Sequence, residues 1–407
     1  MTDREPRRTV APRSRSTVFV AGFACLALLL AATALAAARH PPIEEGRTHL
    51  SLSPVAWPRR GQAALAVGND PPAASPRQQA VPIASLAKVM TASLTLERYP
   101  LTGAQEGFTI TVTAAQAQAE VQDAAEDQSV VAVRAGERLT ERQLLEALLI
   151  PSGNNIADLL ATWDAGSRSA FVARMNGQGR SLGMHRTHYA DPSGVDPATV
   201  STAADQFQLA VRVLQLPVFR QVVALPQAQL PAAGVVYNVN SGLGHLGIDG
   251  IKTGSTPQAG GCLVFSAERR VAGRATPVIG AVLGVAATGA QPSELAGVVT
   301  ASERLLRSVG GKLERVHVVR PGAVFGRVRT AWGASTAAVA ATGVTVIGWP
   351  GMPARVTVTA LPLHPGIRPG QHIARATVTV GGSVGHVWLN ASRAVPSPSL
   401  SWRLARV

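Results

Sequence analysis

The sequence predicts an α+β domain followed by a small β-rich domain. Two observations support this. Apolar residues at helical spacing and short strand-like runs are mixed over residues 61–310, and beyond Gly310-Gly311 the pattern changes to alternating runs separated by Gly and Pro turns. At 407 residues the chain can form two domains that each bury a core, and its 46% hydrophobic and 15% charged composition is globular.

The N-terminal segment predicts export. Residues 1–16 carry five arginines, and the run from Thr17 to Ala38 contains no charge. Such a run behind basic residues is typical of a membrane-inserted signal, and a buried core helix is the plainer alternative. Its length favours an uncleaved anchor at residues 17–38 and a protein on the outer face of the membrane. Ala34-Leu35-Ala36 would also serve as a cleavage site, giving a wall-bound or secreted protein.

The elements of the first domain follow from apolar spacing, after a proline-containing linker over residues 39–60. Thr140 and Gln143 form a capping-box pattern at the start of one helix, and Pro151 ends it. Strands are predicted over 63–67, 248–251, 262–267 and 278–285, and helices over 85–97, 141–149, 170–182, 203–214 and 294–308, with one more after Asn154.

The C-terminal domain, residues 311–407, is strongly basic. It holds Lys312 and ten arginines against one acid, Glu314, out of a net charge of +14 for the whole chain. On an exported protein this favours contact with anionic polymers or lipid head groups of the envelope, and a solvated basic face is the alternative. Nucleic acid is not predicted as a partner, because only 4% of residues are aromatic and could stack on bases.

Cysteine and histidine predict neither a disulfide framework nor a metal site. The chain has two cysteines, and Cys262 lies in a strand-like stretch where a buried small side chain is the expected role. His185 and His188 are three residues apart but have no third ligand in view, so a solvated loop pair is expected.

The retained lysines indicate where chemistry takes place. Among 38 basic residues only three are lysines, and Lys88 and Lys252 both lie in short motifs. An arginine stays protonated at ordinary pH, whereas a lysine amine can lose its proton when it is desolvated. Ser85 and Lys88 are three apart on a predicted helix, so the amine can reach the hydroxyl and act as its base.

Two further motifs offer groups that bind or transfer protons. Ser152-Gly153-Asn154 lies between two predicted helices, where a hydroxyl can pass a proton and an amide can hold a peptide group. Lys252-Thr253-Gly254-Ser255 is predicted at the end of a strand, where Lys252 and Thr253 offer a cation and a hydroxyl to a carboxylate. Taken alone, the first of these two motifs reads as a turn with a helix N-cap and the second as a turn at the end of a strand.

Together, the three motifs carry a resemblance to a known family. In the order Ser-x-x-Lys, Ser-x-Asn and Lys-Thr-Gly, they resemble those of the serine D-alanyl-D-alanine carboxypeptidases, the low-molecular-mass penicillin-binding proteins. The likeness is strong over about residues 50–310 and weaker beyond, most visibly at Pro369-Gly370-Gln371. Gly153 stands where alanine is frequent in the family, and the C-terminal amphipathic helix of some members has no counterpart.

The resemblance implies a fold and a role for each motif residue. It implies an antiparallel sheet flanked by helices, with the site between the sheet edge and a helical region. Ser85 would attack the bond between two D-alanines, Lys88 would take its proton and Ser152 would relay that proton. Asn154 would bind the substrate backbone, and Lys252 and Thr253 would bind its carboxylate. The oxyanion would lie between the N–H groups of Ser85 and Ser255, with Gly254 giving close access.

The implied partners are peptidoglycan stem peptides and acylating β-lactams, without a cofactor. Three alternatives stay open. A β-lactamase of class A needs a glutamate between the second and third motifs, and none occurs between Asn155 and Ile251. A catalytically silent wall-binding scaffold or sensor would keep the fold, and a DD-endopeptidase would use the same residues.

Overall fold

The structure is a computed structural model that describes residues 55–68, 71–271, 274–287, 293–309, 314–348, 354–380 and 383–405. The described residues form two compact units, one over residues 55–316 with 347–348 and the other over 317–346 and 354–405. The predicted anchor at 17–38 lies outside the described residues and stays a prediction. Within the described ranges, no helix is long and apolar enough to cross a membrane.

A five-stranded antiparallel sheet is the frame of the first unit. Its strands are β1 (Gln62–Val67), β2 (Ala73–Ala74), β9 (Ile248–Thr256), β10 (Gly260–Val271) and β11 (Arg274–Val285). Their order is β2-β1-β11-β10-β9, so β9 is an edge strand. Three short pairs lie outside this sheet: β3 (Val81–Pro82) with β6 (Val200–Ser201), β4 (Thr109–Thr111) with β5 (Arg138–Thr140), and β7 (Gln227–Leu230) with β8 (Gly234–Tyr237).

Eight helices accompany these strands in the described part of the first unit. They are α1 (Ala87–Arg98), α2 (Ala114–Ala125), α3 (Glu141–Leu149), α4 (Asn154–Ala165), α5 (Arg168–Ser181), α6 (Ala203–Val213), α7 (Pro217–Val223) and α8 (Glu294–Val309). Helix α1 is the central one, with every residue from Ala87 to Leu96 buried, and it packs against α3, α4 and α6. Helices α6 and α8 pack on the sheet. The core therefore surrounds α1 and fixes its N-terminal end.

The predicted α+β class with an antiparallel sheet is confirmed. Helix α3 begins and ends where the sequence predicts, and both capping-box hydrogen bonds between Thr140 and Gln143 are present. The prediction that the strand starting at Ile248 ends at Ile251 is wrong, because β9 continues to Thr256. Pairing with β10 carries it through the Lys-Thr-Gly-Ser segment, which local composition indicates as a turn.

The second unit is β-rich, as predicted. The strands of its main sheet are β13 (Val324–Arg329), β14 (Ser335–Ala340), β16 (Ala354–Ala360), β17 (His372–Val380) and β18 (Ser383–Ala391). Their order is β13-β14-β18-β17-β16, with all described pairings antiparallel. The remaining elements are the pair β12 (Glu314–Val319) and β15 (Val344–Gly348) and a short helix α9 (Leu400–Leu404).

Candidate active site

Ser85 lies in a tight turn that leads directly into α1. A 3₁₀ turn spans Ala84–Leu86, and Ala84 has a φ of 47°, in the left-handed region that a non-glycine residue seldom adopts. Gly194, with a φ of +87°, packs against this turn so closely that a Cβ atom there would lie 1.8 Å from the Ala84 carbonyl oxygen. The surrounding chain therefore holds the serine backbone in a defined, unusual conformation.

Lys88 lies one helical turn further on and is fully buried. Its Nζ is 2.9 Å from Ser85 Oγ, 2.6 Å from Asn154 Oδ1 and 3.0 Å from the Ser193 carbonyl oxygen. Burial lowers the pKa of this amine well below its usual value, and the nearby charge of Lys252 lowers it further. A neutral amine is therefore favoured at this position.

The contacts of Lys88 also orient its lone pair. A neutral amine has two N–H bonds and one lone pair. The Asn154 amide oxygen and the Ser193 carbonyl can only accept hydrogen bonds, so they take the two N–H groups. The lone pair is then left for the Ser85 hydroxyl, which can donate its proton. This is the geometry that a general base for serine requires.

The second motif lies at the start of α4. Asn154 is its first residue, and its Nδ2 donates to Gln128 Oε1 at 3.1 Å, which directs the amide oxygen towards Lys88. Ser152 is buried and has a φ of 71°. Like Ala84, Ser152 is a non-glycine residue in the left-handed region, a conformation that persists only where the surrounding structure holds it.

The third motif packs against the serine turn. A Cβ atom on Gly254 would lie 2.8 Å from the backbone nitrogen of Ser85, so only glycine lets the strand approach this closely. The sequence pattern assigns that space to a ligand, whereas the structure fills it with the turn itself. Lys252 and Thr253 precede Gly254 on the same strand, and both side chains are buried. Ser255 follows Gly254 and is half-buried.

Three buried polar atoms of the motifs have no hydrogen-bond partner among the described residues. They are Ser152 Oγ, Lys252 Nζ and Thr253 Oγ1. Burial lowers the pKa of Lys252 to about 7. Buried polar groups are normally paired, so two hydroxyls and an amine of the motifs that lack protein partners favour a ligand at this site.

A family of known proteins shares this arrangement of residues. The D-alanyl-D-alanine carboxypeptidase family, peptidase family S11, matches residues 73–287, which is more than half of the chain and includes all three motifs. The chain belongs to this family. The resemblance inferred from the motifs is therefore confirmed.

Individual members of the S11 family differ in their activities. A D-alanyl-D-alanine endopeptidase of Pseudomonas aeruginosa is 33% identical over 194 residues, covering 46% of this chain and 59% of its own length. A D-alanyl-D-alanine carboxypeptidase of Mycobacterium tuberculosis is 34% identical over 195 residues, covering 46% of this chain and 62% of its own length. The chain thus spans about six-tenths of the length of these relatives.

The crystal structure of a Streptomyces DD-transpeptidase superposes on this S11 protein with a TM-score of 0.52 at 26% identity. The superposition covers 62% of this chain and 97% of the DD-transpeptidase. The likeness establishes the penicillin-binding fold for the first unit.

Three supporting residues of this S11 site were not assigned a role from the sequence. Gln128 orients Asn154, and the Ser193 carbonyl accepts from Lys88. Asp191 shapes the loop that presents this carbonyl, because its Oδ2 accepts from the backbone N–H groups of Ser193, Gly194 and Val195. The Asp-Pro-Ser-Gly segment is a turn signature that could have indicated this role, whereas nothing local to Gln128 does.

Cys262 and the histidine pair have no role in the chemistry considered for Ser85 and Lys88, although Cys262 is the cross-strand neighbour of Gly254. Cys262 is fully buried, as predicted, and burial raises the pKa of its thiol to about 12, so it is no nucleophile. His185 and His188 are exposed. In the described ranges, no group of three or more His, Cys, Asp or Glu side chains is arranged to hold a metal.

Replacing Gly194 by alanine should distort the serine turn. The new methyl group would overlap the Ala84 carbonyl, and alanine is also disfavoured at a φ of +87°. We expect a loss of about 3 kcal/mol in the free energy of unfolding, measured by urea denaturation, together with slower acylation of Ser85. Gly183→Ala is the matched control, since that glycine has a φ of +75° and no described atom lies within 4 Å of the place its new methyl group would take. Equal losses in both variants would contradict the proposed role of the close contact.

Proposed function

We propose that the protein is a serine-type D-alanyl-D-alanine carboxypeptidase that removes the terminal D-alanine of peptidoglycan stem peptides. The proposal depends on one observation. The buried Lys88 amine lies 2.9 Å from Ser85 Oγ, and its two other contacts are with hydrogen-bond acceptors, Asn154 Oδ1 and the Ser193 carbonyl oxygen. Family membership supports the substrate class, and the three unpartnered polar atoms support a ligand at this position.

In the proposed acylation, Ser85 Oγ attacks the carbonyl carbon of the penultimate D-alanine while its proton passes to Lys88 Nζ. Backbone N–H groups of Ser85 and Ser255 stabilise the oxyanion. Ser152 then relays the proton from Lys88 to the nitrogen of the terminal D-alanine. The C–N bond breaks, D-alanine leaves as a neutral amine, and the remaining peptide is an ester on Ser85.

The same motif residues hold the substrate in this proposal. Lys252 and Thr253 bind the terminal carboxylate, which supplies the partner that their side chains lack within the described protein. Asn154 contacts the substrate backbone with the part of its amide that Lys88 and Gln128 leave accessible. Water then hydrolyses the ester and regenerates Ser85.

Rapid hydrolysis of β-lactams is not expected, although acylation by them is. No glutamate occurs between Asn155 and Ile251. The aspartates that could replace it are engaged, since Asp191 accepts three backbone N–H groups and Asp205 Oδ2 accepts from the Arg186 N–H and the Thr187 hydroxyl. A carboxylate committed to structural hydrogen bonds is a poor base for water. The penicilloyl ester on Ser85 should therefore be long-lived.

Endopeptidase action on peptide crosslinks is the second candidate, because one similar relative is an endopeptidase and the reacting groups would be the same. A single assay compares the two. Purified protein is incubated with uncrosslinked pentapeptide muropeptides and with crosslinked dimers, and free D-alanine and monomer formation are measured.

We expect D-alanine release from the uncrosslinked substrate, lost in Ser85→Ala by at least about 10³-fold because no nucleophile remains. Conversion of dimers alone would favour the endopeptidase. Retained penicillin labelling of Ser85 with neither product would instead indicate the silent wall-binding protein. Release that survives in Ser85→Ala would refute the assignment of the nucleophile.

A further inference from the structure

The second unit carries basic side chains that have no acidic partner within it. No aspartate or glutamate occurs after Glu314 in the sequence. Residues 317–405 contain eight arginines, Arg320, Arg327, Arg329, Arg355, Arg368, Arg375, Arg393 and Arg403. These guanidinium groups cannot form ion pairs with carboxylate side chains of their own unit. Unpaired positive charge of this density favours an external anionic partner.

Several of the arginines share one face of the main sheet. Side chains alternate between the two faces along each strand. On this face, Arg327 and Arg329 lie on the edge strand β13 and Arg355 lies on the other edge strand, β16. Arg375 of β17 lies between the two edges, and all four side chains are exposed. The opposite face is covered, because Gly385 of β18 packs against Val344 of β15. Five strands spaced at about 4.8 Å give the exposed face a width of about 20 Å. We call it the β13–β16 face.

An aromatic cluster stands at the middle of the β13–β16 face. The rings of Trp388 and His372 stack at 5.1 Å with an interplanar angle of 11°, and the Arg375 guanidinium lies 5.7 Å from the Trp388 ring centroid. Trp388 nevertheless remains 42% exposed. These contacts fix the three side chains across β17 and β18, so an apolar surface and a cation are presented together without much loss of entropy on binding.

Polar side chains complete the β13–β16 face. Thr357, Thr377 and His386 lie side by side on β16, β17 and β18, and His386 Nδ1 is 3.2 Å from the Thr377 hydroxyl. Hydroxyl and imidazole groups beside an aromatic ring suit sugar hydroxyls and the apolar side of a sugar ring. The large exposed apolar side chains of this face are Val324, Val384 and Trp388, and polar residues separate them, whereas a lipid surface favours a contiguous apolar patch.

We propose that the β13–β16 face binds peptidoglycan strands, a polysaccharide that carries peptide carboxylates. Arginines at the edges and centre pair with the carboxylates, and Trp388 contacts the sugar backbone. The choice of this polymer rests on the proposed function, because the stem peptides that the first unit would cleave are attached to it. The binding itself requires no catalysis.

The test is co-sedimentation of the full-length protein with purified, insoluble peptidoglycan from which other wall polymers have been removed. The face variant is Arg355→Gln with Arg375→Gln. The matched control is Arg320→Gln with Arg368→Gln, two exposed arginines outside the five strands. We expect the face variant to bind about ten-fold more weakly and the control to change less than about two-fold.

Two further measurements distinguish the contribution of ion pairs to binding from that of the Trp388 ring. Binding of the wild type should weaken from about 0.05 to about 0.3 M NaCl, because ion pairs are screened. Trp388→Ala, shown by circular dichroism to be folded, should reduce the residual binding at high salt about five-fold. Equal weakening by the face and control variants would overturn the proposal, since general charge would then explain the binding. The proposal would also be overturned if the protein bound anionic lipid vesicles more tightly than peptidoglycan and the face variant weakened that binding as much.

The outcome is independent of catalysis. Ser85→Ala should sediment as the wild type does. Face-dependent binding by a protein that releases no D-alanine would refute the proposed function and leave the binding face in place. D-alanine release from a soluble peptide, with sedimentation that does not depend on the face, would refute the binding face and leave the proposed function in place.

Discussion

Replacing Lys88 by arginine is expected to slow acylation of Ser85 on the order of 10³-fold or more. The position holds a fully buried amine whose pKa burial lowers, in contact with three oxygen atoms. An arginine would stay protonated there, so it would have no lone pair to accept the serine proton. It would also bring a permanent charge into a site that favours a neutral group.

Acylation can be followed with a fluorescent penicillin, and the pH dependence of the rate identifies the base. In the wild type the rate should fall as pH drops through the pKa of Lys88, because the protonated amine cannot accept a proton. Lys88→Met serves as the control that removes the base without adding charge. Both variants should be inactive, and the methionine variant should keep a normal melting temperature. An arginine variant that is folded and retains a tenth of the rate would show that another group deprotonates Ser85.

The contact between Ser85 and Lys88, the proposed reacting pair, could be predicted from the sequence because the two residues are close in the chain. Ser85 and Lys88 are three residues apart, and the 3₁₀ turn at Ala84–Leu86 that continues into α1 brings their side chains together. The capping box at Thr140 and Gln143 is local in the same way, and the structure reproduces it. Where three to four residues determine the geometry, pattern and structure agree.

Features that depend on distant segments were not predictable. The Lys-Thr-Gly-Ser motif reads locally as a turn, yet pairing with β10 makes it strand, and the approach of Gly254 to Ser85 joins segments far apart in the chain. Gln128 and the Ser193 carbonyl reach the site from outside the motifs. Helix α2 was also not predicted, because none of its residues is buried and it therefore has no apolar stripe.

Lys252 is expected to make substrate binding depend on pH. Its pKa in the free protein is lowered to about 7 by burial. Below that pH the amine is charged and can bind a carboxylate, and above it the charge is lost. The KM for a peptide with a free terminal carboxylate should therefore rise above about pH 7, approaching about ten-fold per pH unit. In Lys252→Arg the guanidinium stays charged, so the KM should vary little between about pH 6 and 9 even if kcat falls.

Removing the Lys252 amine should weaken substrate binding but stabilise the folded protein. Lys252→Met should raise the KM about 100-fold at about pH 6, because the carboxylate loses its cation. It should also increase the free energy of unfolding. The folded pKa of Lys252 lies below the unfolded value near 10.5, so the cost of burying the charge is fully present below about pH 7 and disappears as pH rises towards 10.5. We expect a gain on the order of 3 kcal/mol at about pH 6 and little gain at about pH 10, measured by urea denaturation.

The two lysines should also be coupled. The charge of Lys252 is one of the causes that lower the pKa of Lys88. In Lys252→Met the pKa of Lys88 should therefore rise, and the acidic limb of the acylation profile should move to higher pH. Lys252→Arg should leave that limb in place. An unshifted limb in the methionine variant would show that burial alone keeps Lys88 neutral. A shift would instead mean that the cation proposed to bind the substrate carboxylate also keeps the base ready to accept the serine proton.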